Sequence, residues 1–457
     1  MTGNVALPIA ARPEAESRTL RLGGWLNDHA KTIALCAVAV SVMIAGGYAL
    51  FLGTQIRYFD EQVYVSLTHS LAHGHGFSFD EVQPTAYRPP GYPFILLPVY
   101  LMTGGSVLAM RMVGVAALAG SVWFTFLLGR RAHSPATGAL AAVVVACYPL
   151  LIYTATTLYP QVPALFLLLA MIETGLRALP SDGVTGRRRA VMAIVSGLLG
   201  GLLTLAVPTF GVTVVGLVLW LVWRQRRTIR RVAWRTTAVL IVAVAVLPVM
   251  WSARNAVELH AFVPVSTNNG VNLLIGNSPH ATSDGGRVVD ISAYENEAKQ
   301  RQFGEVSLDH FYTQQAAIWI RDNPGRAATL FVEKILNNFS YHNTLATAGR
   351  NSTAQDLVSG LSYYPILALA LLRIALYRRF PLHPTERMLI GILVANVLVL
   401  AVFYTRLRFR VPLDGLTIIL AASMVTHVLF RHSPLRRSPL RRNVSANDAE
   451  LEAQPAD

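Results

Sequence analysis

Apolar stretches of about twenty residues recur along this chain, and no other feature narrows its fold so far. A backbone in hydrocarbon must satisfy its own N–H and C=O groups, so such stretches cross a membrane as helices. Ten spans follow from the pattern: 32–53, 106–128, 136–152, 158–178, 190–206, 208–223, 232–252, 357–377, 388–404 and 411–430. With 53% hydrophobic and 14% charged residues, the expected class is an all-α polytopic membrane protein.

Charge sets the orientation. A net charge of +14 suits nucleic acid in a soluble protein. Here most arginines sit in short connections between apolar spans, which is the positive-inside pattern and argues against a nucleic-acid partner. Residues 1–31 read as a cytoplasmic segment before a retained first span, because a signal peptide has a shorter apolar core. On that footing Arg130/Arg131, Arg177 with Arg187–Arg189, the run from Arg224 to Arg235, Arg378/Arg379 and the tail from Arg431 to Arg442 all fall inside. Arg406, Arg408 and Arg410 form the one basic cluster that falls outside. Cys36 and Cys147 lie within spans and read as small buried apolar residues, not a disulfide framework.

Two segments need separate treatment. Gly91–Thr103 is apolar but too short to cross, and reads as an interfacial or re-entrant helix. The stretch 190–223 is broken at Pro208 and basic at both ends, so it reads as two short crossings. The division is then a cytoplasmic segment 1–31, a membrane module 32–252 with an outer loop 54–105, an outer soluble loop 253–356, C-terminal spans 357–430 and a basic, then disordered, tail 431–457. In the second loop, 307–322 and 326–339 read as helices split by Asn323-Pro324-Gly325. The later helix is amphipathic, with Leu330 and Ile335 on its apolar face and Glu333, Lys334 and Asn337 on its polar one.

Asp60 and Glu61 stand about one turn beyond the first span. Carboxylates at a membrane boundary are costly unless a polar cavity holds them, which marks them as functional candidates. Either one also suits capping of the helix that follows. Arg88 precedes Pro89-Pro90 at the end of the first outer loop. An interfacial arginine there either snorkels or binds an anion. The outer arginines Arg406, Arg408 and Arg410 pose the same choice, with an ion pair to Asp414 as a further alternative. If their segment is extended, Arg408 and Arg410 share a face. His73 and His75 lack a third ligand of metal-site geometry and read as a hydrogen-bonded turn. Glu173 reads as structural, and Tyr148, Tyr153 and Tyr159 as an interfacial belt with some members near a cavity.

Several of these motifs occur together in a known family. Tyr58-Phe59-Asp60-Glu61, Tyr87-Arg88-Pro89-Pro90-Gly91-Tyr92-Pro93, Ser266-Thr267-Asn268-Asn269-Gly270 with Ile275-Gly276-Asn277, and Arg408-Phe409-Arg410-Val411-Pro412 appear in order. Asn323-Pro324-Gly325-Arg326 with Lys334 adds a fifth piece. The chain resembles the GT-C superfamily of polyprenyl-phosphate-sugar-dependent glycosyltransferases, and within it bacterial relatives of protein O-mannosyltransferases and lipid A aminoarabinose transferases. Tyr87 departs from the latter, which carry an acid at that place. The resemblance implies a GT-C-like bundle of about ten helices with outer juxtamembrane helices, in a bacterial cytoplasmic membrane, its site facing outside.

It also implies roles. Asp60 would be the general base on the acceptor hydroxyl, with Glu61 assisting or binding sugar hydroxyls. Arg88, Arg408, Arg410 and Arg406 would bind the donor phosphate. Tyr58, Tyr87, His75, Tyr92, Asn268 and Asn269 would lie around the cavity. The implied partners are a polyprenyl-phosphate-linked sugar, membrane lipids and a glycan, lipid or protein acceptor. No cofactor is required by the pattern, no metal ligands are assigned, and a divalent metal stays open. The competing reading is a transporter or flippase for a lipid-linked saccharide, against which the chain shows no internal repeat. A polymerase or ligase on lipid-pyrophosphate glycans shares the chemistry but needs a longer acceptor groove.

Overall fold

A computed structural model describes residues 14–179, 185–225, 230–285, 289–342 and 353–430, and every regular element among them is a helix. α1 (Glu14–Asp28) leads into α2 (Ala30–Leu52). The first long loop carries α3 (Phe59–Ala72) and α4 (Gly91–Thr103). Then come α5 (Val107–Ala132), α6 (Pro135–Cys147), α7 (Pro149–Ala155), α8 (Gln161–Ala178), α9 (Gly186–Ala206), α10 (Gly211–Gln225) and α11 (Arg230–Glu258). The second long loop holds α12 (Asn269–Gly276), α13 (Ser292–Gln300), α14 (Glu305–Asp322) and α15 (Pro324–Asn337). α16 (Thr353–Ala375), α17 (Pro384–Val402) and α18 (Leu407–Leu429) complete the described chain. The expectations for residues 1–13, for Arg226 and Arg227, and for the tail from Arg431 lie outside the described residues.

Among the described residues eight helices are long and apolar enough to cross a membrane, namely α2, α5, α8, α9, α11, α16, α17 and α18. α6 and α7, bent by 59° at Pro149, make a ninth if taken as one span. The tenth span of the sequence reading, 208–223, corresponds to a helix whose described part is shorter than the rest. Pro208 ends α9, residues 208–210 form a 3-10 turn, and only 15 residues remain for α10. At 1.5 Å per residue α10 rises roughly 22 Å, short of the ~30 Å hydrocarbon core. α4, at 13 residues, is shorter still, as its composition predicts.

α8 and α18 occupy the centre, almost wholly covered by the other helices. Small residues let neighbours approach closely. α9 meets α11 through Gly197 and Gly201. A Cβ on Gly197 would stand 2.8 Å from the Leu240 carbonyl oxygen and 2.4 Å from the Ala243 Cβ. Away from the loops, Glu173 is buried between Arg131 (2.6 Å) and Arg177 (2.8 Å), the structural role its sequence context suggests. Cys36 and Cys147 correct the sequence reading. Both are exposed on the helix surface, where a small thiol is compatible with lipid and needs no protein cover.

At the loop-bearing end, α14 and α15 part at Asn323 as expected. Leu330 is buried on the expected apolar face, but one member of the polar face is buried with it. Lys334 is buried, its Nζ donating to Asn277 Oδ1 at 3.2 Å, while Val332 and Leu336 are exposed. Burial pushes the Lys334 amine down to about 8. One carboxylate ties the two loops together. Glu305, at the start of α14, accepts from Thr85 Oγ1 (2.5 Å), the Ala86 amide (2.8 Å) and Thr267 Oγ1 (2.6 Å). The Thr267 amide also donates to the Ala86 carbonyl at 3.0 Å. Arg88 and Asn268 each sit within two residues of this knot.

Two outcomes follow. Gly197→Val should force α9 from α11 and lower thermal stability of the purified protein by about 1–3 kcal/mol; an unchanged melting midpoint would contradict the close approach. Glu305→Ala leaves three donors without an acceptor. It should raise amide hydrogen exchange in segments 76–90 and 262–270 while exchange within α8 and α18 stays slow. Unaltered exchange in both loops would rule out the tether.

Candidate active site

The site starts from how α3 begins. Tyr58 is extended at the N-cap (φ −120°, ψ 146°), and Glu61, three residues on, folds back to it. Glu61 Oε2 accepts from the Arg57 amide (2.7 Å) and the Tyr58 amide (3.1 Å), closing a capping box. Its Oε1 accepts from the Leu158 amide at 2.9 Å and lies 3.5 Å from Arg111 Nη1. Arg111, buried in α5, also donates to the carbonyls of Gln55 and Thr156. Glu61 is fully buried and stays off the cavity wall. The expected catalytic assistance from Glu61 is thus replaced by a structural role: both its oxygens are spent on backbone donors and Arg111.

Asp60 points the other way. Its Oδ1 accepts from Arg88 Nη2 at 2.6 Å and its Oδ2 from Arg408 Nη1 at 2.7 Å. The three side chains remain 16–29% exposed, so solutes reach them. The Nε atoms of Arg88 and Arg408 are buried without a partner. Arg408 lies over the Tyr159 ring, 5.4 Å from its centroid, and Arg88 over Tyr87 at 5.6 Å. This triplet opens on a cavity of about 150 Å³.

Four further segments, with the next turn of α3, wall the cavity. The start of α8 gives Tyr159 and Gln161, the turn before α10 gives Val207 to Thr209, and the Asn-rich loop gives Asn268, Asn269 and Asn272. Leu400, Phe403 and Tyr404 come from the end of α17, and Tyr64 from the next turn of α3. Gly276 permits the approach of the Asn-rich loop to the α17–α18 turn, since a Cβ there would sit 1.8 Å from the Phe403 carbonyl oxygen. The lining combines cationic and amide side chains with apolar ones. Among the described residues Asp60 is its only carboxylate, and both its oxygens are engaged by guanidiniums. Among the described residues no group of three His, Cys, Asp or Glu side chains is placed to hold a metal ion.

The remaining expected site residues are not all brought here. Residues from Leu407 onward are helical, not extended, so two positions turn through about 200° and Arg410 faces away from Arg408. Arg410 is buried, donates to Asp414 Oδ1 (3.1 Å) and the Ser340 carbonyl (2.6 Å), and stacks 3.4 Å from the Tyr363 ring centroid. Arg406 donates to the Gly285 carbonyl at 2.7 Å, outside the cavity lining. Tyr58 pairs with the Tyr153 hydroxyl, Tyr92 packs edge-on against Tyr64, and Tyr87 meets Phe79. His75 bonds Glu81 at 3.0 Å, and His69 reaches the same carboxylate at 3.2 Å. None of these four lines the cavity. Asn268 and Asn269 do. Tyr64, Gln161, Asn272 and Tyr404 were not foreseen; only Tyr159 beside them carried a sequence signal.

Comparison with known proteins fits this arrangement. Residues 87–251, a little over a third of the chain, match the family model described as dolichyl-phosphate-mannose-protein mannosyltransferase. That range includes Arg88, Arg111 and Gln161 but neither Asp60 nor Arg408. No curated protein matches the chain significantly. The oligosaccharyltransferase of Archaeoglobus fulgidus in its apo form superposes with a TM-score of 0.54 at 12% identity, over 94% of this chain and 53% of that one. The same enzyme, AglB, in complex with an inhibitory peptide and a dolichol-phosphate gives 0.51 at 12% identity, with the same coverage. ArnT from Cupriavidus metallidurans, bound to undecaprenyl phosphate, gives 0.43 at 14% identity, over 86% of this chain and 77% of that one. The chain thus spans about half the length of AglB. Over most of its length the chain therefore shares the multi-pass helical fold of the archaeal oligosaccharyltransferase, and residues 87–251 match the mannosyltransferase family model.

Proposed function

We propose that this protein transfers a sugar from a polyprenyl-phosphate donor to an acceptor hydroxyl at the outer face of the cytoplasmic membrane, with Asp60 as general base. The observation that carries the reading is one carboxylate gripped by two guanidiniums at the mouth of a half-apolar cavity. Guanidinium recognises phosphate by the same planar fork with which it holds Asp60. A donor phosphate entering between Arg88 and Arg408 would take over those hydrogen bonds and release the Asp60 oxygens. Leu400, Phe403 and Val207 offer the apolar surface that a polyprenyl chain needs beside its phosphate. That AglB has been captured with a dolichol-phosphate supports a lipid-phosphate donor here.

In the proposed step, Asp60 takes the proton of the acceptor hydroxyl as its oxygen forms a bond to the sugar C1. The C1–O bond to phosphate breaks, and its electron pair leaves on the polyprenyl phosphate. Arg88 and Arg408 balance the charge that grows on that phosphate. Arg410 and Arg406 hold the backbone of the second loop and of the α15–α16 connection, and so act on the cavity's shape.

Asp60→Asn keeps the shape but cannot accept the proton. It should lower transfer by ~10²–10⁴ while binding of undecaprenyl phosphate persists. Near-normal turnover would remove Asp60 from the chemistry. Orientation is tested separately, in a background lacking Cys36 and Cys147. Single cysteines at Gln83 and Gln302, both exposed, should react with an impermeant maleimide on intact cells, and one at Thr185 should not. The reverse labelling pattern would put the site on the cytoplasmic face.

A further inference from the structure

Gln161 is the first residue of α8, held at the cavity wall by the Pro160 turn before it. Its residue surface is only 7% exposed, yet its side chain forms no hydrogen bond, and Oε1 is fully enclosed without a partner. Buried amides are nearly always paired, so an unpaired one on a residue that lines a cavity marks a place where a ligand completes the bonding, through Nε2 where Oε1 itself is enclosed. Two residues earlier, Tyr159 underlies the Arg408 guanidinium. A phosphate on Arg408 would therefore bring the group attached to it, the donor sugar, next to Gln161. Asn268 lines the same cavity, with its own amide oxygen already taken by the Ser266 hydroxyl at 2.9 Å.

Building on the transferase reading above, we propose that Gln161 is a specificity-determining residue whose amide hydrogen-bonds a hydroxyl of the donor sugar. An amide suits this place because it adds no charge. A carboxylate there would compete with Asp60 for Arg88 and Arg408, whereas Gln161 reads a neutral hydroxyl and leaves the charge balance of the triplet alone. The acceptor has no comparable claim on this side chain, since the phosphate fixes the sugar, and not the acceptor, beside Tyr159.

The test uses the full chain in nanodiscs and Gln161→Leu, an apolar replacement of similar volume. Binding is measured for undecaprenyl phosphate alone and for undecaprenyl-phosphate mannose, galactose, N-acetylglucosamine and arabinose. The wild type should bind at least one of these sugar-bearing carriers more tightly than the bare carrier. Gln161→Leu should cut that affinity about tenfold and leave the bare carrier unchanged. Equal losses for bare and glycosylated carriers would reduce Gln161 to a structural role and overturn the inference. So would a full sugar preference in Gln161→Leu, or a wild type that shows no sugar preference. If the wild type fails to bind even the bare carrier, the polyprenyl-phosphate reading falls, and the inference with it.

Discussion

The cavity depends on a buried charge pair that never touches it. Glu61 and Arg111 lie out of water at the junction of α3, α5, the chain beyond α2 and the α7–α8 turn. Burying an ion pair gains little net stability, but removing one partner leaves an uncompensated charge and costs about 3–5 kcal/mol. The pair is thus better understood as a device for geometry. Glu61 is pinned by four donors, so the residue before it has one direction left, and Asp60 faces the arginines. The capping box and the direction of Asp60 are consequences of one local fold.

Asp60 itself joins distant parts of the chain. Arg88 is 28 residues downstream and Arg408 is 348. With Glu305 holding the two long loops together, the cavity rim is closed by side-chain hydrogen bonds and not by helix packing. The two layers differ in kind. The bundle beneath is held by small residues and apolar contact, which fix distances but carry no charge. The rim is held by ionised groups, which can exchange one anionic partner for another.

Much of this was legible in the sequence, for physical reasons. Apolar length reveals a span without any tertiary information, and a carboxylate near a bilayer is conspicuous because it is costly there. Asp60 and Arg88 stood out on those grounds. Arg408 and Arg410 did too, but sequence spacing could not tell a helix from an extended strand before Pro412, and that choice decides which arginine reaches the cavity. Glu61 carried a capping signal beside its functional one, and capping prevailed because α3 starts one turn before it. Gln161, Asn272 and Tyr404 were invisible for another reason. Each looks ordinary in its own segment and gains meaning only when helices far apart in sequence meet. Lys334 was misplaced because helical periodicity assigns a charge to the wet side, while Asn277 was waiting on the other.

The short reach of α10 bears on the membrane itself. A bilayer meets a helix shorter than its own hydrocarbon by thinning around it, at a cost of fractions of a kcal/mol per Å. The turn at Val207–Thr209 that begins this helix is also a wall of the cavity. A span whose described part is this short draws the headgroup layer toward itself, on the flank where it meets the cavity. For the lipid-phosphate donor proposed above, such a dip would lower the phosphate toward the arginines while its tail stays among other tails.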